Sequence, residues 1–432
     1  MNYGLLYIDP GTGSMLFTVL ISIVGFLVYF FRVMWVKVKY SIYKGKKTKL
    51  DQNKIPVLIF GEAKRYWQTF EPICDEFEKR GIDVVYWTTS PDDPALEKKY
   101  EHIKAEFIGE GNKAYARLNM VNASVVIATT PGLKVYQWKR SKFADCYIHV
   151  LHGAYDITTY RMFGTDYFDA VLLSGQYQAD EVRKMEEMRE LPAKDIELVG
   201  VPFLDVLKEK FEKADVRHGD VPTVLLAPSW GPNSIFNVYG GKVIDELIKT
   251  GYNIIIRPHH QSFVADKALM DDLTSRYPDS DKLKWDRTGD NFESLCNADI
   301  MITDFSGIIF DFTLVFNKPV LYTDTTFDWS CYDQHWFNTE LWTLSILPRL
   351  GMKISSDNLG DIKNMIDTCI NDSSFSEGRD LAREQTWANI GHGAEKTVDY
   401  VMKKYDQLIA NQAAKEADEA EKTKKTKRKS VK

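Results

Sequence analysis

Apolar and polar positions alternate along this chain in two repeating series, preceded by one stretch that follows neither. From Ile55, short apolar runs alternate with segments whose apolar positions recur at helical spacing. Ile55 to Phe60, Val84 to Thr88, Ser124 to Thr129, Tyr147 to Leu151, Ala170 to Leu173 and Ile196 to Val199 read as buried strands. Glu71 to Arg80 reads as an amphipathic helix closed by Gly81. The charged, apolar-poor stretch Lys208 to Val221, ended by Pro222, reads as a crossover. The pattern then restarts. Thr223 to Leu226, Asn253 to Ile256, Asp299 to Thr303 and Pro319 to Tyr322 are strand candidates. Lys242 to Lys249, closed by Gly251, and Gly307 to Val315 are helix candidates. Strands alternating with helices imply parallel sheets covered on both faces. Two such series predict an α/β protein of two Rossmann-like halves, residues 51–215 and 216–410, facing one another across a cleft.

The exception comes first in the chain. Met15 to Phe31 is an uncharged apolar run without a polar face, long enough to span a bilayer. No Lys or Arg precedes it, which argues against a cleaved signal peptide. Arg32, Lys37, Lys39, Lys44, Lys46, Lys47 and Lys49 follow it. Positive-inside logic therefore predicts a single-pass anchor, residues 1–50, in the cell membrane, with the body in the cytoplasm. At the other end, residues 411–432 read as a surface helix dissolving into a basic, solvated tail.

Composition narrows the function. With 432 residues the chain is too long for one ordinary core, and 44% apolar with 27% charged residues fits a globular enzyme. A net charge of −6 argues against a general nucleic-acid binder. The five cysteines show no CxxC spacing, so neither a zinc site nor a disulfide framework is expected. No HExxH, P-loop or GxSxG motif is present, nor a DxD of the sort that holds a divalent ion on a nucleotide sugar, and no cofactor or metal is called for.

Ligands of open α/β sheets gather at the carboxyl ends of strands. Tyr147 to Leu151 delivers His152-Gly153, where glycine lets the chain turn sharply; His149, inside the strand, reads as a hydrogen-bonded core histidine. Thr223 to Leu226 delivers Ala227-Pro228-Ser229-Trp230, with an indole that can stack on a base or pack at the rim. Asn253 to Ile256 delivers Arg257-Pro258-His259-His260, an anion site by chemistry. Asp299 to Thr303 delivers Asp304-Phe305-Ser306-Gly307 and then a helix, read as an N-cap, a phosphate cradle or both.

Taken in order, His152-Gly153, Gly200-Val201-Pro202, Ala227-Pro228-Ser229-Trp230, Arg257-Pro258-His259, and Thr303-Asp304-Phe305-Ser306 with Phe310-Asp311-Phe312 resemble the CDP-glycerol glycerophosphotransferases of teichoic acid synthesis. The resemblance implies a GT-B-like fold, with the nucleotide held mainly by the second half. It implies transfer of glycerol phosphate, or a related polyol phosphate, from a CDP-activated donor to a lipid-linked polymer, releasing CMP. It makes His152 the candidate general base and His259 a second catalytic histidine. Arg257, Ser306 and Gly307 would hold the pyrophosphate, with Gly153, Ser229, Trp230, His260, Thr303 and Asp304 as further substrate contacts. The chain departs from the family in following His152-Gly153 with Ala154-Tyr155-Asp156, where Thr, Pro and Lys are usual, and in carrying His260 where a second proline is usual. A nucleotide-sugar transferase of the same fold and a non-catalytic, membrane-anchored scaffold are the competing readings.

Overall fold

The structure, a computed structural model, describes residues 54–216, 219–323 and 328–429, together with positions 19, 22–24, 26–28, 30, 31 and 34. The run Met15 to Phe31 thus lies partly outside the described residues, and among the described ones no helix is long and apolar enough to cross a membrane. Its described positions are helical, and Val19, Ile23, Val24, Phe26, Leu27, Val28, Phe30 and Phe31 are exposed. Residues 1–54 and 55–432 are separate units.

The second unit carries two parallel sheets. The first contains β1 (Ile55–Gly61), β2 (Val84–Thr88), β3 (Ile103–Phe107), β4 (Ala123–Ala128), β5 (Ala144–Val150), β6 (Ala170–Leu173) and β7 (Asp195–Leu198), in the order β3-β2-β1-β4-β5-β6-β7. The second contains β8 (Thr223–Leu226), β9 (Asn253–Ile256), β10 (Leu283–Trp285), β11 (Ile300–Thr303), β12 (Val320–Thr323) and β13 (Gly351–Ile354), in the order β10-β9-β8-β11-β12-β13. Both orders reverse beside the first strand of the half, which opens a crevice at the carboxyl ends there.

Why these segments form central strands is visible in β1. Val57 and Ile59 pack on one face with Phe70, Ile73 and Phe77 of the helix Trp67–Lys79. Leu58 and Phe60 pack on the other with Leu118 and Trp138. A strand buried on both faces must be apolar throughout, which is the run the sequence displays. The helix Trp67–Lys79 stops where expected, with Gly81 at φ +66°; Gly251, at φ +77°, closes the helix Lys242–Thr250 in the same way.

Three differences from the sequence-based expectations matter. Strands β3, β10 and β13 lie outside the predicted series, and each is at a sheet edge. The stretch expected as crossover begins inside the helix Pro202–Glu212, whose Leu204 and Leu207 pack with Leu225 and Phe312 of the second half. The helix expected over Gly307 to Val315 is one α turn, Ile308–Phe310, that widens into a π segment, Asp311–Val315.

The chain ends on the first half. The helix Gly393–Lys429 buries Val398 and Val401 against the first sheet and stays helical through Lys429, beyond the start of the expected dissolving tail. Gly200, of the Gly200-Val201-Pro202 motif, is where the chain passes on its way back. At φ +92° it lies so close to Ala388 that a Cβ would sit 2.1 Å from that carbonyl oxygen. Asp205 then accepts from the Gly391 and Gly393 amides at 2.8 Å each and from the Trp387 indole N–H at 2.9 Å.

Candidate active site

The end of β5 delivers His152 into a nest of hydroxyl groups. Thr129, just past β4, lies 2.8 Å through its Oγ1 from the His152 Nδ1. The Tyr155 hydroxyl stands 2.8 Å from Nδ1 and 3.0 Å from Nε2. That hydroxyl also meets the Tyr160 hydroxyl at 3.0 Å, and Tyr160 meets His149 Nε2 at 3.0 Å. A continuous hydrogen-bonded row therefore runs from Thr129 through His152 and two tyrosines to the buried His149. Gly153 makes room for it: a Cβ there would sit 2.8 Å from the Tyr155 ring. Among the described residues no carboxylate is hydrogen-bonded to His152. Burial, with Arg65 nearby, lowers its pKa to about 4, and burial with His152 beside it lowers His149 to about 3. Both imidazoles are neutral at physiological pH.

Asp156, which stands in the loop where the family usually has a basic residue, is turned away from His152. Its carboxylate accepts from the Trp342 and Thr343 amides, at 2.6 and 2.9 Å, at the start of the helix Trp342–Ser345. Thr158 donates to Gln334, and Asp333 accepts from the Phe163 amide and donates its own N–H to the Tyr160 carbonyl. The loop after His152 is thereby fastened to the second half, so the position of the imidazole depends on both halves.

The second centre lies at the ends of β9 and β11. Arg257, His259, His260, Arg287, Thr288, Asn291 and Ser306 line a cleft of about 390 Å³. His259 Nδ1 accepts the Gln261 backbone N–H at 3.1 Å. An acceptor nitrogen carries no proton, so the neutral ring bears its hydrogen on Nε2. Burial and the stacked His260 ring, 4.3 Å away, lower the pKa of His259 and favour that neutral form. Trp230 is exposed beside this pair, 6.4 Å from His259 between ring centres.

Arg257 holds Asp286 at 2.5 Å and the Thr288 carbonyl at 2.9 Å, so its guanidinium shapes the 286–291 loop that walls the cleft. Burial raises the Asp286 carboxyl, but hydrogen bonds from Ser294 and Thr288 and the Arg257 guanidinium outweigh it and hold the pKa at about 2. Ser306 lines the cleft, and open space lies over Gly307. Thr303 and Asp304 are turned inward. Thr303 donates to the Ala227 carbonyl at 2.7 Å, while Asp304 accepts from the Ser229 and Ile235 amides. These two, with Ser229, fasten the loop after β8 to the loop after β11. Sequence reasoning missed Thr129, Tyr155 and Tyr160 around His152, and Arg287 and Thr288 in the cleft.

The likeness reaches beyond the motifs at these strand ends. Residues 46–340 match the CDP-Glycerol:Poly(glycerophosphate) glycerophosphotransferase family. The chain belongs to this family. A teichoic acid glycerol-phosphate primase of Bacillus subtilis (strain 168) is 24% identical to it over 310 residues, 66% of this chain and 76% of that protein. The fold is that of the wall teichoic acid polymerase TagF, solved after a soak with CDPG, with a TM-score of 0.55 at 15% identity over 88% of this chain and 99% of that one. UDP-GlcNAc 2-epimerase of Neisseria meningitidis, bound to UDP-GlcNAc, shares the architecture with a TM-score of 0.53 at 14% identity, covering 81% of this chain and all of that one. The fold is thus GT-B-like, and the protein is a transferase of the CDP-glycerol glycerophosphotransferase type.

Proposed function

We propose that this glycerophosphotransferase family member moves glycerol phosphate, or a closely related polyol phosphate, onto a terminal hydroxyl of a lipid-linked polymer. The hydroxyl oxygen attacks the phosphorus that carries the glycerol, a new P–O bond forms, and the pyrophosphate P–O bond breaks to release CMP. Such a transfer needs an aligned hydroxyl, a proton acceptor and fixed positive groups where charge develops.

The observation that carries this reading is the contrast between the two strand-end histidines, His152 among hydroxyl groups and His259 with its Nδ1 taken by a backbone N–H. In the tautomer that donates Nδ1–H to Thr129, 2.8 Å away, His152 offers the lone pair of Nε2 to an attacking hydroxyl. The Tyr155 hydroxyl, 3.0 Å from Nε2, marks the distance at which that proton would be taken. His259 presents an N–H, in a cleft with two arginines, suited to the phosphate oxygens of the donor. Trp230 and the His259–His260 stack offer aromatic surface to the cytosine.

The same reading anchors the protein in the membrane through Met15 to Phe31, with the body on the cytoplasmic side. Its support is the charge-free run, the basic residues that follow it, and the exposure of its described apolar side chains. An anchor raises the effective concentration of a lipid-linked acceptor at the cleft. The deciding experiment follows CMP release from CDP-glycerol by detergent-solubilised protein with a lipid-linked glycerol phosphate acceptor. Release by the wild type and its loss in His259→Ala is the expected result. Turnover of a UDP-sugar in place of CDP-glycerol would overturn the donor assignment.

A further inference from the structure

The family's usual lysine after the His152 motif is absent here, and Asp156, nearby in the same loop, is engaged elsewhere. A cation reaches the same neighbourhood from a different strand. Directly after β1, Arg65 lies with its guanidinium carbon 4.9 Å over the Tyr66 ring. The Tyr66 ring in turn stands edge-on to His152, with 5.1 Å between centres and 65° between planes. Guanidinium, phenol and imidazole thus form one row at the ends of β1 and β5.

Arg65 is exposed, and among the described residues it pairs with no carboxylate. Its neighbours in the first half differ. Lys64 pairs with Asp92, and Arg117, Arg140, Arg183 and Arg189 hold Glu106, Asp169, Glu186 and Asp166. What orders Arg65 is stacking on Tyr66 and a long 3.3 Å contact with its hydroxyl, which leaves most of the guanidinium donors open.

We infer that Arg65, stacked on Tyr66, binds a phosphate of the acceptor polymer and so positions the terminal hydroxyl at His152. The inference rests on the proposed transfer reaction and names the acceptor side of that site. In a glycerol phosphate chain the end hydroxyl and the nearest phosphate are one glycerol unit apart. An anchor for that phosphate one ring away from the base fixes the register of the end group. Arginine is suited to the task, since its planar fork grips two phosphate oxygens at once.

The test uses the full-length protein in detergent, a synthetic glycerol phosphate trimer as soluble probe, and the variants Arg65→Ala and Arg65→Lys. Trimer binding is followed by calorimetry, and CMP release gives KM values for donor and acceptor. Removing one charge-assisted contact is expected to weaken trimer binding and raise the acceptor KM by about tenfold. Arg65→Lys should recover part of the loss, the CDP-glycerol KM should move by less than about twofold, and the melting temperature should be unchanged. Equal trimer binding by wild type and Arg65→Ala, or no binding by either, overturns the inference. An equal rise in both KM values also overturns it, by placing Arg65 at the donor. Trimer binding that needs Arg65 in a protein that does not turn over CDP-glycerol would leave the phosphate site standing and remove the donor assignment instead.

Discussion

His152 and His259 each stand at the carboxyl end of a parallel strand, β5 in one half and β9 in the other, yet their surroundings treat the imidazole in different ways. Around His152 the first half supplies hydroxyl groups and burial, with Arg65 nearby, which hold the ring neutral and leave its proton location to Thr129 and Tyr155. Around His259 the second half supplies a backbone N–H and two arginines, which fix the ring as an Nε2–H donor facing an open cleft. The first setting suits taking a proton from a neutral alcohol. The other suits steadying an anion. A histidine at a strand's carboxyl end therefore carries no fixed chemistry, because partners from outside the strand decide it.

The comparison breaks most sharply at His152. Alanine there removes the proton acceptor, and kcat should fall by about 10²–10⁴-fold with little change in CDP-glycerol binding. Retention of near wild-type turnover would remove His152 from the base role. At His259 the contrast can be sharpened with glutamine, which keeps an N–H donor. His259→Gln should retain about tenfold more activity than His259→Ala, whereas His152→Gln should do no better than His152→Ala. Acidity separates the two as well. Because burial lowers His152 to about 4, the base stays unprotonated well below the ordinary histidine value of 6.5. The acid limb of kcat/KM that reports this group should then fall near pH 4. The same depression has a stability consequence. The unfolded chain takes up protons at His149 and His152 below about pH 6.5, while the folded chain resists until about 3 and 4. Stability contributed by these two rings is therefore complete above pH 6.5 and lost as pH falls toward 4, which thermal unfolding between about pH 7 and pH 4 would register. The smallest effect is expected at Tyr155→Phe, which keeps the ring and removes one hydroxyl from the row. A few-fold loss in kcat, with unchanged acceptor KM, would mark Tyr155 as a positioning residue.

The central strands were legible because burial on both faces demands unbroken apolar runs, as in β1 and β8. The missed strands are edges. β3, with the sequence IKAEF, is mostly exposed or half-exposed, and β10 alternates buried Leu283 and Trp285 with exposed Lys284. Failing to see β10 also hid the loop behind it, which brings Arg287, Thr288 and Asn291 to the cleft. The strand-end histidines could be read from local sequence, and so could Ser306. Their supporting groups could not, because Thr129, Tyr160 and Arg65 reach the neighbourhood of His152 through loops that only the folded sheet brings together. Thr303 and Asp304 show the converse. The family resemblance implied contact with a ligand there, and in the structure their hydrogen bonds hold two loops in register.

The return of the chain end to the first sheet has a mechanical consequence. Two passages of the chain, one from Gly200 into the helix Pro202–Glu212 and one around Trp387 to Gly393, run side by side, joined by Asp205 and by the close approach of Gly200 to Ala388. A pair of adjacent struts resists twisting while allowing bending, much as two door hinges confine a door to one axis. Opening and closing of the cleft should therefore follow a single arc, so that the same approach of the two histidines recurs on every turnover.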